Sequence, residues 1–331
     1  MISKSKYELD EQIIKNLFAK AGISGAHNIT PLGAGEFNSV YAVDADGKKY
    51  ALKVAPKNED CILTYENNMI EQEIYYYSLM KSAGIGVPEI YYSDFSNETI
   101  AAGWFIMERL DGCQLDKAKL NDSEKKKSNE MLCEMIAKMH SVKGEKFGYR
   151  QNSQFDSWYS ALKNMVENLI EDGKKRGHNS KNGVKMLSYI EDNKEILEKV
   201  KCNLINFDIW SPNIFVCKAT GNDFSLKWID PERCFFGDKI LDFVCVDIAK
   251  MSLDKKSKSI AIYNKYTTEP IAIGNDERVR FGFALCYLGL IMETEKYARY
   301  SPLHFGWWRN IVMSNMYFKS GFKQIKKFSK V

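Results

Sequence analysis

Apolar residues recur at two spacings along this chain, and the switches between them mark its elements. Between Leu9 and Ala21, the residues Ile13, Ile14, Leu17 and Phe18 fall on one helical face. The period then shortens. Ile29-Thr30-Pro31-Leu32 leads into Gly33-Ala34-Gly35, and Ser39 to Val43 is rich in β-formers. Asp46-Gly47 is a hairpin turn, with Lys49 to Val54 as the returning strand. Helical spacing returns from Tyr65 to Ala83. Strands are expected again at Pro88 to Tyr92 and Trp104 to Met107, before Leu110-Asp111-Gly112 breaks the pattern. This part reads as a small sheet with a helix inserted after its third strand-like element.

From Asp122 onward, helical apolar spacing dominates: Glu130 to Met139, Trp158 to Glu171, Val184 to Val200, Val244 to Met251 and Phe281 to Tyr300. Short apolar strands interrupt it at Leu204 to Phe207, Ile214 to Cys217 and Leu226 to Asp230. The pattern predicts an α+β protein. Its parts are an N-terminal lobe over residues 1–107, a hinge at 108–112 and a mainly helical lobe over 113–331. No internal repeat or low-complexity tract appears in the sequence.

A length of 331 residues suits two lobes rather than one small core. The formal net charge of +4 gives no argument for nucleic acid. The runs Lys125-Lys126-Lys127 and Lys174-Lys175-Arg176 read as solvated helix ends or loops. Eight scattered cysteines form no C-x-x-C pair and no zinc spacing, and they read as reduced residues. Met1 to Asp10 lacks the apolar core of a signal peptide. The longest apolar run, Phe281 to Met292, is too short to span a bilayer and reads as a buried helix. A soluble cytoplasmic protein with no nucleic-acid or membrane partner is expected; the oligomeric state is not readable.

Four segments carry candidate chemistry. Gly33-Ala34-Gly35-Glu36-Phe37-Asn38-Ser39 is a turn whose amides could approach a phosphate, although alone it would pass for an ordinary turn. Lys53 faces the opposite side of its strand from Tyr50, Leu52 and Val54. A lysine that grips phosphates is held by a helix glutamate. Glu73 is the first candidate for that partner and Glu71 its rival. In Asn206-Phe207-Asp208-Ile209-Trp210-Ser211-Pro212-Asn213, an aspartate stands five residues before an asparagine, between two apolar strands. Such a carboxylate can accept a hydroxyl proton, and such an amide oxygen can ligate magnesium. Trp228-Ile229-Asp230-Pro231-Glu232 ends a strand on a second carboxylate suited to magnesium. The ordered set of glycine turn, Lys, Glu, Asp-x4-Asn and Asp fits phosphoryl transfer.

These residues resemble the aminoglycoside phosphotransferase, choline kinase and fructosamine kinase superfamily, over roughly Leu32 to Ala249. Three stretches carry the resemblance. Ile70-Glu71-Gln72-Glu73 is similar to the family's acidic helix and points to Glu73. Phe105 to Gly112 is similar to its interlobe hinge. Ile229-Asp230-Pro231-Glu232, followed by Gly237-Asp238 and Asp242-Phe243, looks like its metal signature. Met139-His140-Ser141 fits a helix end, with His140 structural. The resemblance implies a protein-kinase-like two-lobed fold, with one helix on a small antiparallel sheet in the N-lobe and a helical C-lobe. It implies ATP (GTP remaining open) and Mg2+ as cofactors. Asp208 would be the catalytic base, and Asn213 and Asp230 the metal ligands. Lys53, held by Glu73, would bind the α- and β-phosphates. Gly33, Gly35 and Ser39 would border those phosphates. Val40, Ala51 and Met107 would line the adenine pocket, and the backbone of Glu108 and Leu110 would hydrogen-bond the base. Asn206 and Phe207 depart from the histidine and small or polar residue usual before the aspartate.

A small hydroxyl-bearing molecule is the expected substrate, an aminoglycoside or amino sugar first, choline or a ketosamine second. Trp158, Trp210, Glu232, Asp238, Glu293, Glu295, Tyr300, Trp307 and Trp308 are candidates for its recognition. A pseudokinase is disfavoured because Lys53, Asp208 and Asp230 are all present. A protein kinase is disfavoured by the lack of H-R-D, D-F-G and A-P-E segments.

Overall fold

The computed structural model describes residues 7–32, 38–56, 61–218, 223–246, 251–254 and 256–329. Helix α1 (Glu11–Lys20) opens the chain, its first turn capped by Asp10 Oδ1, which accepts from the Ile13 amide at 2.8 Å. Strands β1 (His27–Pro31), β2 (Ser39–Ala45) and β3 (Lys48–Val54) follow, then helix α2 (Met69–Ser82) and strands β4 (Ile90–Asp94) and β5 (Trp104–Glu108). The five strands form one antiparallel sheet in the order β1-β2-β3-β5-β4. Asp46 and Gly47 both take positive φ, +48° and +70°, the geometry that lets a two-residue turn follow the strand twist. Edge strand β1 is nearly all exposed, so no apolar alternation announces it.

The sheet buries both faces. On one, Leu17 and Phe18 of α1 pack with Tyr50, Leu52, Val54 and Ile106. On the other, Ala51, Phe105 and Met107 join a core shared with the helical part. Lys53 lies on this second face.

Beyond the hinge come β6 (Gly112–Gln114), α3 (Asp122–Ser141), α4 (Trp158–Lys175), α5 (Lys181–Asp192), α6 (Lys194–Glu198), β7 (Asn203–Ile205), β8 (Ile214–Lys218), β9 (Phe224–Trp228), β10 (Phe235–Gly237), α7 (Asp242–Val246), α8 (Lys258–Tyr263), α9 (Asn275–Arg299) and α10 (Phe305–Phe328). Strand β8 joins β6 to β9, and β7 pairs with β10, all antiparallel. At Gly112 a Cβ would lie 2.3 Å from the Val216 carbonyl oxygen, so only glycine lets β6 approach β8.

Several boundaries differ from expectation. Helix α3 starts at Asp122, not Glu130. Asn121 accepts from the Glu124 amide while Glu124 accepts from the Asn121 amide, and the polar first turns that follow carry no apolar stripe. The expected helix from 184 to 200 is two, split at Asn193, whose side chain donates back to the Tyr189 carbonyl at 2.9 Å. Helix α9 starts at Asn275, not Phe281, because Glu277 accepts from the Gly274 amide at 2.9 Å. Residues 247–250 of the expected helix at 244–251 lie outside the described residues. Helix α10 was not foreseen. It crosses α9 where a Cβ on Gly282 would sit 2.9 Å from the Gly321 carbonyl, so the two backbones meet without side chains between them.

Residues 61–66 run as a strap along the helical part before α2 begins. The Thr64 amide and hydroxyl donate to Asp172 of α4 at 2.6 and 2.7 Å. Arg176 donates to the Ile62 carbonyl at 2.9 Å, Gln151 to the Tyr65 carbonyl at 2.6 Å, and Arg299 pairs with Glu66. All eight cysteines are unbridged, and among the described residues no helix is long and apolar enough to cross a membrane.

Candidate active site

Lys53 gathers the site. Its Nζ lies 2.7 Å from Glu73 Oε2, 2.9 Å from Asp230 Oδ1 and 3.0 Å from Glu232 Oε2, with a side chain only 3% exposed. Glu73 belongs to the face of α2 that also buries Met69, Ile70, Tyr76, Tyr77 and Met80. Glu71 is exposed, which decides between the two glutamates. Burial alone would lower the Lys53 pKa, but Asp230, Glu232 and Glu73 together hold it well above its ordinary value. Burial pushes the Glu73 carboxyl up while Lys53 opposes it. Three carboxylates thus share one ammonium.

The loop after β7 holds Asp208. The chain turns through Phe207, at φ +55°, because the Asp242 carboxylate draws in two successive amides: it accepts from Asn206 N at 3.2 Å and from Phe207 N at 2.6 Å. Asp242 is fully buried and lies 2.9 Å from His140 Nε2, whose Nδ1 meets the Tyr263 hydroxyl at 3.1 Å. His140 is structural, as its sequence context implied. Asn206 serves the loop from within. Its amide oxygen accepts from Asp208 N at 2.9 Å, and its nitrogen donates to Cys234 Sγ at 3.4 Å. Phe207 packs on Tyr287 and Phe235.

Asn213 Nδ2 donates to the Asp208 carbonyl at 3.1 Å and to Asp208 Oδ2 at 3.2 Å. Burial pushes the Asp208 carboxyl up to about 6; Arg233 opposes this, and Glu232 and Asp230 add to it. The Asn213 carbonyl accepts from Ile229 N at 2.9 Å, which ties this loop to the Asp230 turn. Asp230 itself has φ +55°, and its amide donates to the Tyr77 hydroxyl at 3.1 Å.

Strand register assigns the remaining predicted residues. Val40 pairs with Lys53 and Ala51 with Met107, so Val40, Ala51, Lys53 and Met107 share one face of the sheet. Ser39 pairs with Val54, and its side chain is turned to the other face, away from Lys53. Only its backbone could meet a phosphate, a correction forced by the pleat. The Glu108 amide already donates to the Glu89 carbonyl at 2.7 Å, and its carboxylate pairs with Lys227 at 2.7 Å. Of its backbone, only the carbonyl is open to a base. The Leu110 amide bonds to no described residue. Gly33 and Gly35 lie outside the described residues.

Two substrate candidates belong to the core instead. Trp158 is 1% exposed and stacks on Phe235. Asp238 pairs with Arg280 at 3.1 Å and caps the Ile240 amide. Glu295 accepts from Arg233 at 3.1 Å, and Arg233 lies over the Tyr65 ring. Tyr65 is also one wall of a small cavity of mixed polar and apolar lining, with Asn152, Asn164, Met165, Leu169 and Asp172 among the others. Trp210 stays exposed in the Asp208 loop.

Sequence reasoning missed Asn38, Tyr77 and Arg233, and gave Asn206, Asp242 and Glu232 no place in this geometry. Asn38 donates to Glu232 Oε2 at 2.7 Å across 194 positions of chain, and no local pattern records such a contact. Glu232 and Asp242 both stand in the stretch that resembles the family's metal signature, which was the signal available for them.

Comparison with known proteins bears on the family and the fold. The model of the APH family, described as "Phosphotransferase enzyme family", matches residues 28–201. Among solved structures, a Ralstonia eutropha JMP134 protein assigned as an aminoglycoside phosphotransferase is 14% identical, with a TM-score of 0.62 over 96% of this chain and 99% of that one. A Haemophilus somnus 129PT protein assigned as a fructosamine-3-kinase is 18% identical, with a TM-score of 0.62 over 92% and 96%. A thermostable mutant of aminoglycoside phosphotransferase APH(4)-Ia, solved with AMP-PNP and hygromycin B, is 14% identical, with a TM-score of 0.63 over 96% and 99%. At these identities the likeness is one of fold. Comparison with curated proteins gave no match.

Proposed function

This chain belongs to the phosphotransferase enzyme family, and we propose that it transfers the γ-phosphoryl group of ATP, with Mg2+, to a hydroxyl of a small molecule. An aminoglycoside or amino sugar is the first choice of acceptor, with choline, an amino alcohol or a fructosamine as the alternative. One observation carries the reading: Lys53 bound at once by Glu73, Asp230 and Glu232, with the Asp208–Asn213 pair tied to the same turn.

In this reading the nucleotide lies between residues 1–107 and the helical lobe, 113–331, with the base under the hinge at 108–112. Val40, Ala51 and Met107 pack on adenine, while the Glu108 carbonyl and the Leu110 amide bond its edge. Lys53 grips the α- and β-phosphates with Glu73 fixing its direction. Asp208 takes the proton of the acceptor hydroxyl. A carboxyl near 6 is ionised at neutral pH yet more basic than a solvated one, which suits that task.

The donor set fits magnesium. Among the described residues no group of three acidic, histidine or cysteine side chains is placed to hold a metal ion by itself. Magnesium does not require that, since it takes one or two protein carboxylates and completes its shell with phosphates and water. Asn213 and Asp230 would hold it, and the excess of carboxylates over Lys53 is the charge it would offset. The ion would neutralise charge on the transferring phosphoryl group. The unbridged cysteines suit a reducing cytoplasm.

The test is ADP release with ATP and magnesium against aminoglycosides, amino sugars, choline, amino alcohols and fructosamines. Turnover with one class, lost in Asp208→Ala while nucleotide still binds, is the expected result. ATP binding with no turnover on any acceptor would favour a binding module instead.

A further inference from the structure

Helix α10 turns its other side to solvent, and that side is ordered along its length. Asn310, Tyr317, Phe318, Phe322 and Ile325 are buried. Opposite them Phe305 is 78% exposed, Trp308 59%, Val312 58% and Met316 44%, and Leu303, in the loop just before, is 99% exposed. Lys319, Lys323, Lys326 and Lys327 continue the exposed side, and none is ion-paired to an acid among the described residues. At 100° per residue, positions 305, 308, 312, 316, 319 and 323 fall within an arc of about 80°. The stripe is therefore apolar in its first half and cationic in its second.

We infer that this face docks on an anionic phospholipid surface. The charge selects the occupant. Residues 301–331 hold six basic residues and no acidic one, against +4 for the whole chain. A second copy of the helix would set two cationic faces together with no acid between them. A bilayer with anionic headgroups meets both halves, taking the aromatic and aliphatic end into the interface while the lysines reach phosphate. The Trp308 indole donates to the Pro302 carbonyl at 2.9 Å, which fixes the ring beside Leu303 at the helix entrance. Tryptophan favours that depth because its body is apolar and its edge polar. The expectation of no membrane partner rested on the lack of a spanning segment, and a helix lying on the surface needs none.

The experiment is sedimentation of the full chain with vesicles of phosphatidylcholine alone or mixed with phosphatidylglycerol. Pelleting with the mixed vesicles only, released by salt, is expected. Each of Lys319→Gln and Lys323→Gln should weaken it roughly fivefold. Leu303→Ser combined with Trp308→Ser should abolish it, with an unchanged melting temperature and unchanged nucleotide binding showing that the fold stands. Equal pelleting with both vesicles, or none with either, would overturn the inference. So would a dimer in size-exclusion chromatography that the Leu303/Trp308 variant splits, because the stripe would then belong to a second copy.

Discussion

Lys53→Met removes the ammonium that three carboxylates share while nearly keeping its volume. Removing one partner of a buried ion pair costs about 3–5 kcal/mol, because the other charge stays buried without a partner. Here the abandoned groups are Glu73, fully buried, and Asp230 and Glu232, more open to water, so the cost rests mainly on Glu73. At an unfolding entropy of about 2.1 cal/mol/K per residue, a chain of this length loses roughly 4–7 °C in melting temperature. The loss depends on pH. Burial raises the wild-type Glu73 carboxyl to about 8 while Lys53 opposes the rise, and without Lys53 it goes higher still. Above the unfolded value both native states hold the extra proton, so both lose stability as pH rises, but the loss stops near pH 8 in the wild-type protein and continues in the variant. In the wild-type protein the raised Lys53 pKa stabilises at every pH below 10.5. The gap between the two proteins should therefore be wider at pH 9 than at pH 6, read by thermal denaturation. The variant should also bind no ATP. Equal melting temperatures at both pH values would refute the idea that Lys53 is the counter-ion of this cluster.

Asp208→Asn should lower kcat by a factor of about 10²–10⁴ while nucleotide affinity, by titration calorimetry, changes little. The acid limb of kcat/KM should fall near pH 6, since burial raises the Asp208 carboxyl and only the ionised form accepts a proton; a limb near pH 4 would mean that another group is the base. Asn206→Ala removes the acceptor of the Asp208 amide and should cost about 1–2 kcal/mol with a lower kcat, whereas wild-type kinetics would show that the loop is held by Asp242 alone. Asp242→Asn should destabilise more, by about 2–4 kcal/mol in urea unfolding, because it weakens the acceptor of two amides and the partner of His140.

Much of the site was legible because its key residues sit on local patterns. Lys53 interrupts an apolar strand, Asp208 and Asn213 lie in one loop between two strands, and Asp230 ends another. Glu73 needed more than pattern, since Glu71 is equally acidic; burial of one face of α2 decided between them. What escaped reading is long-range or turned by the pleat. Asp242 organises the Asp208 loop from 35 positions away, and nothing near either segment announces that bond. Ser39 was placed beside the phosphates, but strand pairing directs its side chain to the other face. Asn206 departs from the usual residue yet still meets the Asp208 amide, because a short amide side chain can reach back over a sharp turn. Helix α10 was missed because its exposed apolar positions blur the contrast between faces that marks an amphipathic helix.

The strap at 61–66 has a consequence for how the enzyme is governed. In kinases that are switched on and off, the helix bearing the lysine's glutamate swings, and the swing is the switch. Here that helix emerges from a segment bolted to α4 and α9 through Asp172, Arg176 and Arg299. Leaving its post would break several part-buried polar bonds at once. Helix α2 is thus a fixed pillar rather than a lever. A phosphotransferase held this way would not be switched by displacing α2.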